Sequence, residues 1–149
     1  MRAFVFSFYP KKDVNRLKKF LLKKGFIVSA YKPDIIVSFG GDGTFLACER
    51  SYPGVPKILL RETEEKTKEI DVTMNEFERV LKKVKKGLYK IVEFGKVEAI
   101  HNNKKLIGLN EVQIRNKLPI EALRFSVKFN GKMLENIVGD GVVVATPFG

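Results

Sequence analysis

The chain has 149 residues, 44% of them hydrophobic and 30% charged, enough for one domain or two small ones with a buried core. Apolar residues recur along the whole length, which excludes intrinsic disorder. Runs such as Ala3 to Phe8 and Gly141 to Thr146 are strand-length and far short of a bilayer span. Lys and Arg total 28 against 17 Asp and Glu, and this formal net charge of +11 favours polyanionic partners such as nucleotides, nucleic acid or polyphosphate.

Met1 and Arg2 lead straight into Ala3-Phe4-Val5-Phe6 without an apolar region of signal-peptide length, so the expected location is the cytoplasm, with no membrane association. Ala3 to Phe8 reads as a buried strand, ended by Pro10. A helix from about Lys11 follows, with Val14, Leu17 and Leu21 on one face and Gly25 at its C-terminal cap. Phe26-Ile27-Val28 is a short strand. Asp34 to Phe39 is a longer one that runs into Gly40-Gly41-Asp42-Gly43. Thr44 to Arg50 reads as a short helix stopped by Pro53-Gly54, and Lys57 to Leu60 as a further strand. Thr73 and Glu76 make a capping box that opens a helix carrying Phe77, Val80, Leu81 and Val84 on one face, closed by Gly87.

Near residue 90 the period changes from helical to alternating. Tyr89 to Ile100, Leu106 to Arg115, Leu123 to Phe129, Lys132 to Ile137 and a buried Gly141 to Thr146 all read as strands. Asn102-Asn103 and Asn130-Gly131 are the turn signals between them. The expected fold class is therefore α/β plus β: a Rossmann-like open α/β domain over residues 1–90, then an antiparallel all-β domain over 91–149. Pro147-Phe148-Gly149 begins a turn that leads nowhere, and so few strands leave sheet edges open, so the β half reads as part of a longer one.

Three stretches can carry chemistry. In the first, the strand Ile35 to Phe39 delivers a glycine-rich turn to the carboxyl edge of a sheet, where open α/β folds bind ligands. Gly40, Gly41 and Gly43 let backbone approach a phosphate, and the following helix offers free N–H groups. An acid in that loop would repel a phosphate, so Asp42 suits a proton acceptor from a hydroxyl or an indirect holder of Mg²⁺. In the second, Asn110-Glu111 sits in an apolar strand, an amide beside a carboxylate able to bond ribose hydroxyls and a purine amino group. The third is Gly139-Asp140-Gly141, leading through Val142 to Thr146-Pro147-Phe148-Gly149.

In this order the three stretches resemble the NAD kinase family, which carries Gly-Gly-Asp-Gly-Thr, an Asn-Glu or Asn-Asp pair, and Asp-Gly followed by Thr-Pro-x-Gly. The resemblance spans essentially the whole chain, an N-terminal portion of a member that ends inside the last motif. It implies transfer of a phosphoryl group from ATP or polyphosphate to the 2′-hydroxyl of the adenosine ribose of NAD, assisted by Mg²⁺ or another divalent cation. On that basis Asp42 is the catalytic acid–base residue. Gly41, Gly43, Thr44 and Leu46 would line the substrate pocket, Asn110 and Glu111 would hold the adenosine side, and Asp140 would reach the nicotinamide end. Gly40 and Arg61 are candidates for the phosphate donor, and a homodimer or homotetramer is implied.

One stretch departs from the family. Relatives have a Gly-Ile-Asn-x-Gly-type turn where this chain reads Leu60-Arg61-Glu62-Thr63-Glu64-Glu65, with no glycine and three carboxylates. That departure keeps open a non-catalytic nucleotide-binding paralogue. Lipid kinases share the Gly-Gly-Asp-Gly loop but follow it within a few residues by Asn-Glu, whereas Phe45-Leu46-Ala47-Cys48 stands here. A nucleic-acid partner rests on charge alone, because the lysines follow helix faces without interleaved stacking aromatics. His101 reads as a surface residue, and Asp71 with Glu62, Glu64 and Glu65 as a charged loop rather than a metal site. Cys48, the single cysteine, excludes an intrachain disulfide and reads as a packing residue.

Overall fold

A computed structural model describes residues 1–118 and 120–149. The chain divides into two compact units, Met1–Ile91 and Val92–Gly149.

The first unit is a five-stranded, wholly parallel sheet in the order β2-β1-β3-β4-β5. Its strands are β1 (Arg2–Phe6), β2 (Ile27–Val28), β3 (Ile35–Phe39), β4 (Lys57–Leu60) and β5 (Asp71–Val72), the last too short to be read from the sequence. Each residue of β3 is buried, as a central parallel strand covered on both faces requires. The helices are α1 (Lys11–Lys23), α2 (Asp42–Ser51) and α3 (Met74–Lys85). Leu17 and Leu21 of α1, and Phe77, Leu81 and Val84 of α3, join Val5, Val37, Phe39 and Leu60 in one core. Burying each such side chain contributes about 1.5–3 kcal/mol.

Two polar devices fix the helix ends. The Thr73–Glu76 capping box forms, with the Thr73 N–H donating to Glu76 Oε2 at 3.1 Å. The hydrogen bond from Lys66, with that of the Thr73 N–H, pulls the Glu76 carboxyl down to about 2. Behind α2, the ammonium of Lys57 donates to Glu49 Oε2 at 2.5 Å, to the Tyr52 carbonyl at 2.8 Å and to the Val55 carbonyl at 2.7 Å. All three of its protons are thus satisfied, and the C-terminal turn of α2 is tied to the start of β4.

The second unit consists of three antiparallel ribbons: β6 (Val97–His101) with β7 (Lys104–Gly108), β9 (Leu123–Phe129) with β10 (Lys132–Gly139), and β8 (Glu111–Arg115) with β11 (Gly141–Ala145). Asn102 and Asn103, at φ 46° and 61°, and Asn130 and Gly131, at φ 48° and 78°, supply the two tight hairpin turns, whose twist matches that of the strands.

Three expectations are corrected here. Residues 89–96 lie outside any strand, and β6 begins only at Val97, because alternation without a partner ladder does not make a strand. The run Leu106 to Arg115 is broken into β7 and β8 by a bend at Leu109-Asn110. Gly108 permits the break, since a Cβ there would collide with the Glu111 carbonyl. Finally, β11 is not buried: Val143 and Val144 are exposed.

Candidate active site

The order 2-1-3-4-5 places a switch point between β1 and β3. From there the chain passes from β1 to β2 on one side and from β3 to β4 on the other, the arrangement at whose carboxyl edge open α/β sheets bind ligands. The glycine-rich turn lies there. Gly40 is buried at φ 146°, and a Cβ on it would meet Thr44 Oγ1 at 2.5 Å, so the buried Thr44 side chain packs where only glycine leaves room. Opposite, Ser7 Oγ, at the end of β1, donates to the Phe39 carbonyl at 2.7 Å.

Helix α2 begins two residues earlier than expected. Gly41 is its N-cap in extended conformation, its carbonyl accepting the N–H groups of Thr44 and Phe45 at 3.0 and 3.2 Å. Asp42 therefore stands on the first helical turn, with N–H groups that have no intrahelical acceptor. Gly43 beside it is exposed with open space around its Cα, and Leu46, one turn on, is half-buried.

Arg61 directly follows β4, and its side chain runs beneath this turn. Nη2 donates to Asp42 Oδ1 at 2.5 Å and to Thr67 Oγ1 at 2.5 Å, while Nε donates to Asp71 Oδ2 at 2.9 Å. Asp71 is not part of an open charged loop but a buried residue of β5. Its Oδ2 also accepts the backbone N–H groups of Thr67 at 2.9 Å and Lys68 at 3.0 Å. Burial works against the Asp71 charge, but the hydrogen bonds from Arg61, Thr67 and Lys68 outweigh it and lower its pKa. Burial likewise opposes the Arg61 charge, and its bonds to Asp71 and Asp42 reverse that and raise its pKa. The site so formed is an exposed carboxylate edge backed by a buried, fixed cation.

Nearby, Tyr9 packs edge-on against Phe39 with ring centroids 5.0 Å apart. Its phenol is raised by burial and by its hydrogen bond to Glu62. Cys48 is buried in α2, which pushes its thiol up to about 11, and it packs rather than reacts.

The other two motifs share the β8–β11 ribbon. Glu111 pairs with Ala145 at one end and Arg115 with Gly141 at the other. Thr146, Phe148 and Gly149 fold over the Asn110 bend: the Thr146 N–H donates to the Asn110 carbonyl at 2.7 Å, and Thr146 Oγ1 to the Leu109 carbonyl at 2.5 Å. Asn110 Oδ1 is buried without a partner among the described residues, and Glu111 accepts from Gln113 Nε2 at 3.1 Å. Asp140 is exposed at the far end, its carbonyl accepting the Asn116 N–H at 2.9 Å. At the rise of an antiparallel strand, the five steps from 140 to 145, the partner of Glu111, put it roughly 17 Å from Glu111.

The structure thus gathers Gly40 to Thr44 with Arg61 in the first unit. In the second it brings Asn110-Glu111 against Thr146 to Gly149, with Asp140 apart from them. The partners Asp71 and Thr67 were missed in the sequence. The available signal was an isolated Asp directly before an apolar Val72 and a capped helix, where a solvated loop has no need to end in a strand.

An open parallel α/β unit with a glycine-rich turn at its switch point, joined in sequence to antiparallel β ribbons, defines the class. No family model matches the chain. It is similar to the NAD kinase of Saccharolobus islandicus, at 33% identity over 137 residues, covering 91% of this chain and 53% of the relative. It is likewise similar to the NAD kinase of Sulfurisphaera tokodaii, at 31% identity over 147 residues, covering 99% of this chain and 54% of that one. In fold it matches the crystal structure of an NAD kinase from Archaeoglobus fulgidus in complex with ATP, with a TM-score of 0.75 at 23% identity, over 97% of this chain and 60% of that one. The chain spans about half the length (53%) of the curated NAD kinases to which it is similar.

Proposed function

We propose that the protein is an NAD kinase, moving the γ-phosphate of ATP, or a phosphate of polyphosphate, to the 2′-hydroxyl of the adenosine ribose of NAD to give NADP. The observation that carries the reading is Asp42: a carboxylate on the first turn of α2, at the carboxyl edge of the switch point, with Oδ1 held by Arg61. Among the described residues its Oδ2 has no hydrogen-bond partner and can accept the proton of an approaching hydroxyl. Phosphoryl transfer with a loose transition state needs positioning and charge neutralisation more than a strong base. A fixed carboxylate beside the free N–H groups of a helix start supplies the first and part of the second. Gly43 leaves the approach to Asp42 clear of side chains, Gly41 caps the helix above Arg61, Thr44 braces the turn, and Leu46 lines its apolar side.

On the same reading the β8–β11 ribbon holds the dinucleotide, Asn110 and Glu111 bonding the adenosine and Asp140 the nicotinamide end. Their separation along the ribbon suits two ends of one extended ligand. Mg²⁺ keeps several waters and binds mainly through phosphate oxygens with one or two carboxylates. Among the described residues there is no group of three or more His, Cys, Asp or Glu side chains that could hold a metal ion, so a cation would arrive with the donor phosphates rather than in a protein cage. The exposed apolar side chains of the β unit, Ile107, Ile114 and Val143 among them, support assembly as a homodimer or homotetramer. Among the described residues no helix is long and apolar enough to cross a membrane, and a cytoplasmic location fits the substrates.

The test is NADP formation from NAD, ATP and Mg²⁺ by the complete protein. Activity is expected, with kcat about 10²–10⁴-fold lower in Asp42→Asn. A correctly folded protein that binds NAD but forms no NADP would instead establish the non-catalytic paralogue.

A further inference from the structure

The Arg61–Asp71 pair occupies the segment in which the chain departs most from its family's sequence pattern, and its geometry assigns that departure a purpose. We infer that Arg61 is a positioning residue: anchored from behind by Asp71 and Thr67, it fixes the orientation of the Asp42 carboxylate so that Oδ2 faces the incoming hydroxyl. The inference rests on the kinase reading above.

The anchoring comes from three directions. Asp71 is buried, with Oδ2 gripping Nε of Arg61 at 2.9 Å and itself held by the Thr67 and Lys68 N–H groups. Thr67 Oγ1 takes Nη2 from the side at 2.5 Å. The remaining direction of Nη2 is filled by Asp42 Oδ1 at 2.5 Å. The guanidinium passes directly under the turn: a Cβ on Gly41 would stand in ordinary van der Waals contact with Nη1, at 3.4 Å. The side chain of Arg61 is 10% exposed, whereas that of Asp42 is 41% exposed. The cation is thus the buried anchor, and the carboxylate is the exposed group it holds in place.

An unsupported Asp at the start of a helix can turn about two side-chain torsions. One planar guanidinium, held at Nε and pointing with Nη2, removes that freedom, which a lysine's point charge cannot do. A ligand for the donor phosphate would need its N–H groups directed outward. Here Nε and Nη2 are both committed to protein oxygens, which favours positioning over phosphate binding.

Steady-state kinetics of the complete protein with Arg61→Ala, Arg61→Lys and Asp42→Asn test this. A misplacement of about 1 Å costs on the order of 10²-fold in rate. The expected result is therefore a kcat about 30- to 100-fold lower in Arg61→Ala, with KM for NAD and ATP within about threefold of the parent. Arg61→Lys should fall between the two, and added guanidinium ion should restore about tenfold in Arg61→Ala but nothing in Asp42→Asn.

Arg61→Ala leaves the Asp71 charge buried and unpaired, so Arg61→Ala with Asp71→Asn serves as the folding control. The amide still accepts the Thr67 and Lys68 N–H groups, and the double variant should melt near the parent while kcat stays low. A raised KM for ATP with unchanged kcat would overturn the inference in favour of a phosphate ligand. Parent-like kcat in the double variant, with Asp42→Asn inactive, would overturn it and leave the kinase reading intact. A parent protein that forms no NADP overturns both.

Discussion

The tripeptide Gly-Asp-Gly occurs twice, and the two units use it in opposite ways. In the α/β unit, Gly41-Asp42-Gly43 opens a helix over a buried core, and its carboxylate is tied through Arg61 to Asp71, a group with no access to solvent. In the β unit, Gly139-Asp140-Gly141 joins β10 of one ribbon to β11 of another. There the carbonyl of Asp140 accepts the Asn116 N–H, and its side chain makes no hydrogen bond or ion pair among the described residues. The same local sequence therefore yields a carboxylate held by a buried cation where a core stands behind it, and one exposed without a side-chain partner among the described residues where none does. Rigid groups suit the chemical step and adaptable ones suit binding.

The contrast extends to stability, where it can be broken most directly. Phe77 is a large, fully buried side chain of the α/β core, so Phe77→Ala should cost about 3–5 kcal/mol in denaturant unfolding. Ile107, 59% exposed in the β unit, should cost no more than about 0.5 kcal/mol as Ile107→Thr. Equal losses at the two sites would mean that Ile107 is covered in solution, by further chain or by a second copy.

A smaller effect is expected at Gly141. It lies at φ 154°, with the Ile114 carbonyl and Arg115 Cα of β8 against the place where a Cβ would stand. Gly141→Ala should cost about 1–3 kcal/mol by prising β11 from β8. On the proposed function it should weaken NAD binding more than turnover, because Asp140 directly precedes β11 and Glu111 opens β8.

The smallest expected effect is on the pH dependence of the α/β unit. Glu76, held by Lys66 and the Thr73 N–H, and Glu78, held by Lys24 and Lys82, are each pulled down to about 2. Carboxylates depressed in the folded state stabilise it above their ordinary pKa, and that contribution is lost as pH falls toward the folded value. The melting temperature should therefore decline between pH ~4.5 and ~2, and less steeply in Glu76→Gln. An identical slope in the variant would show that the capping carboxylate is not linked to folding.

The comparison also explains what could be read from sequence. Strand β4 at Lys57–Leu60, strand β9 at Leu123–Phe129 and the Thr73–Glu76 cap coincide with expectation, because each is encoded by neighbours in the chain. The start of α2 was misplaced by two residues. Gly43 reads as a loop residue, yet it is tolerated in a first turn where Gly41 already supplies the cap. The bend at Leu109-Asn110 was hidden inside an apolar run whose composition does not register a change of partner strand. The Arg61–Asp71–Thr67 anchor was least legible. Ten residues separate Arg61 from Asp71 and nineteen separate it from Asp42, and only the parallel pairing of β4 with β5 brings them under the glycine turn. What looked like a run of repelling carboxylates, Glu62 to Glu65, leads the chain from Arg61 to the residues that hold it.

The most direct measurement sets the two aspartates side by side: kcat and KM for NAD in the complete protein with Asp42→Asn and with Asp140→Asn. The account predicts that Asp42→Asn lowers kcat by about 10²–10⁴-fold with little change in KM. It predicts that Asp140→Asn raises KM for NAD about tenfold and leaves kcat within a few-fold, as expected for loss of uniform binding. A collapse of kcat in Asp140→Asn with Asp42→Asn still active would contradict the account and move the chemistry from the α/β turn to the β ribbon.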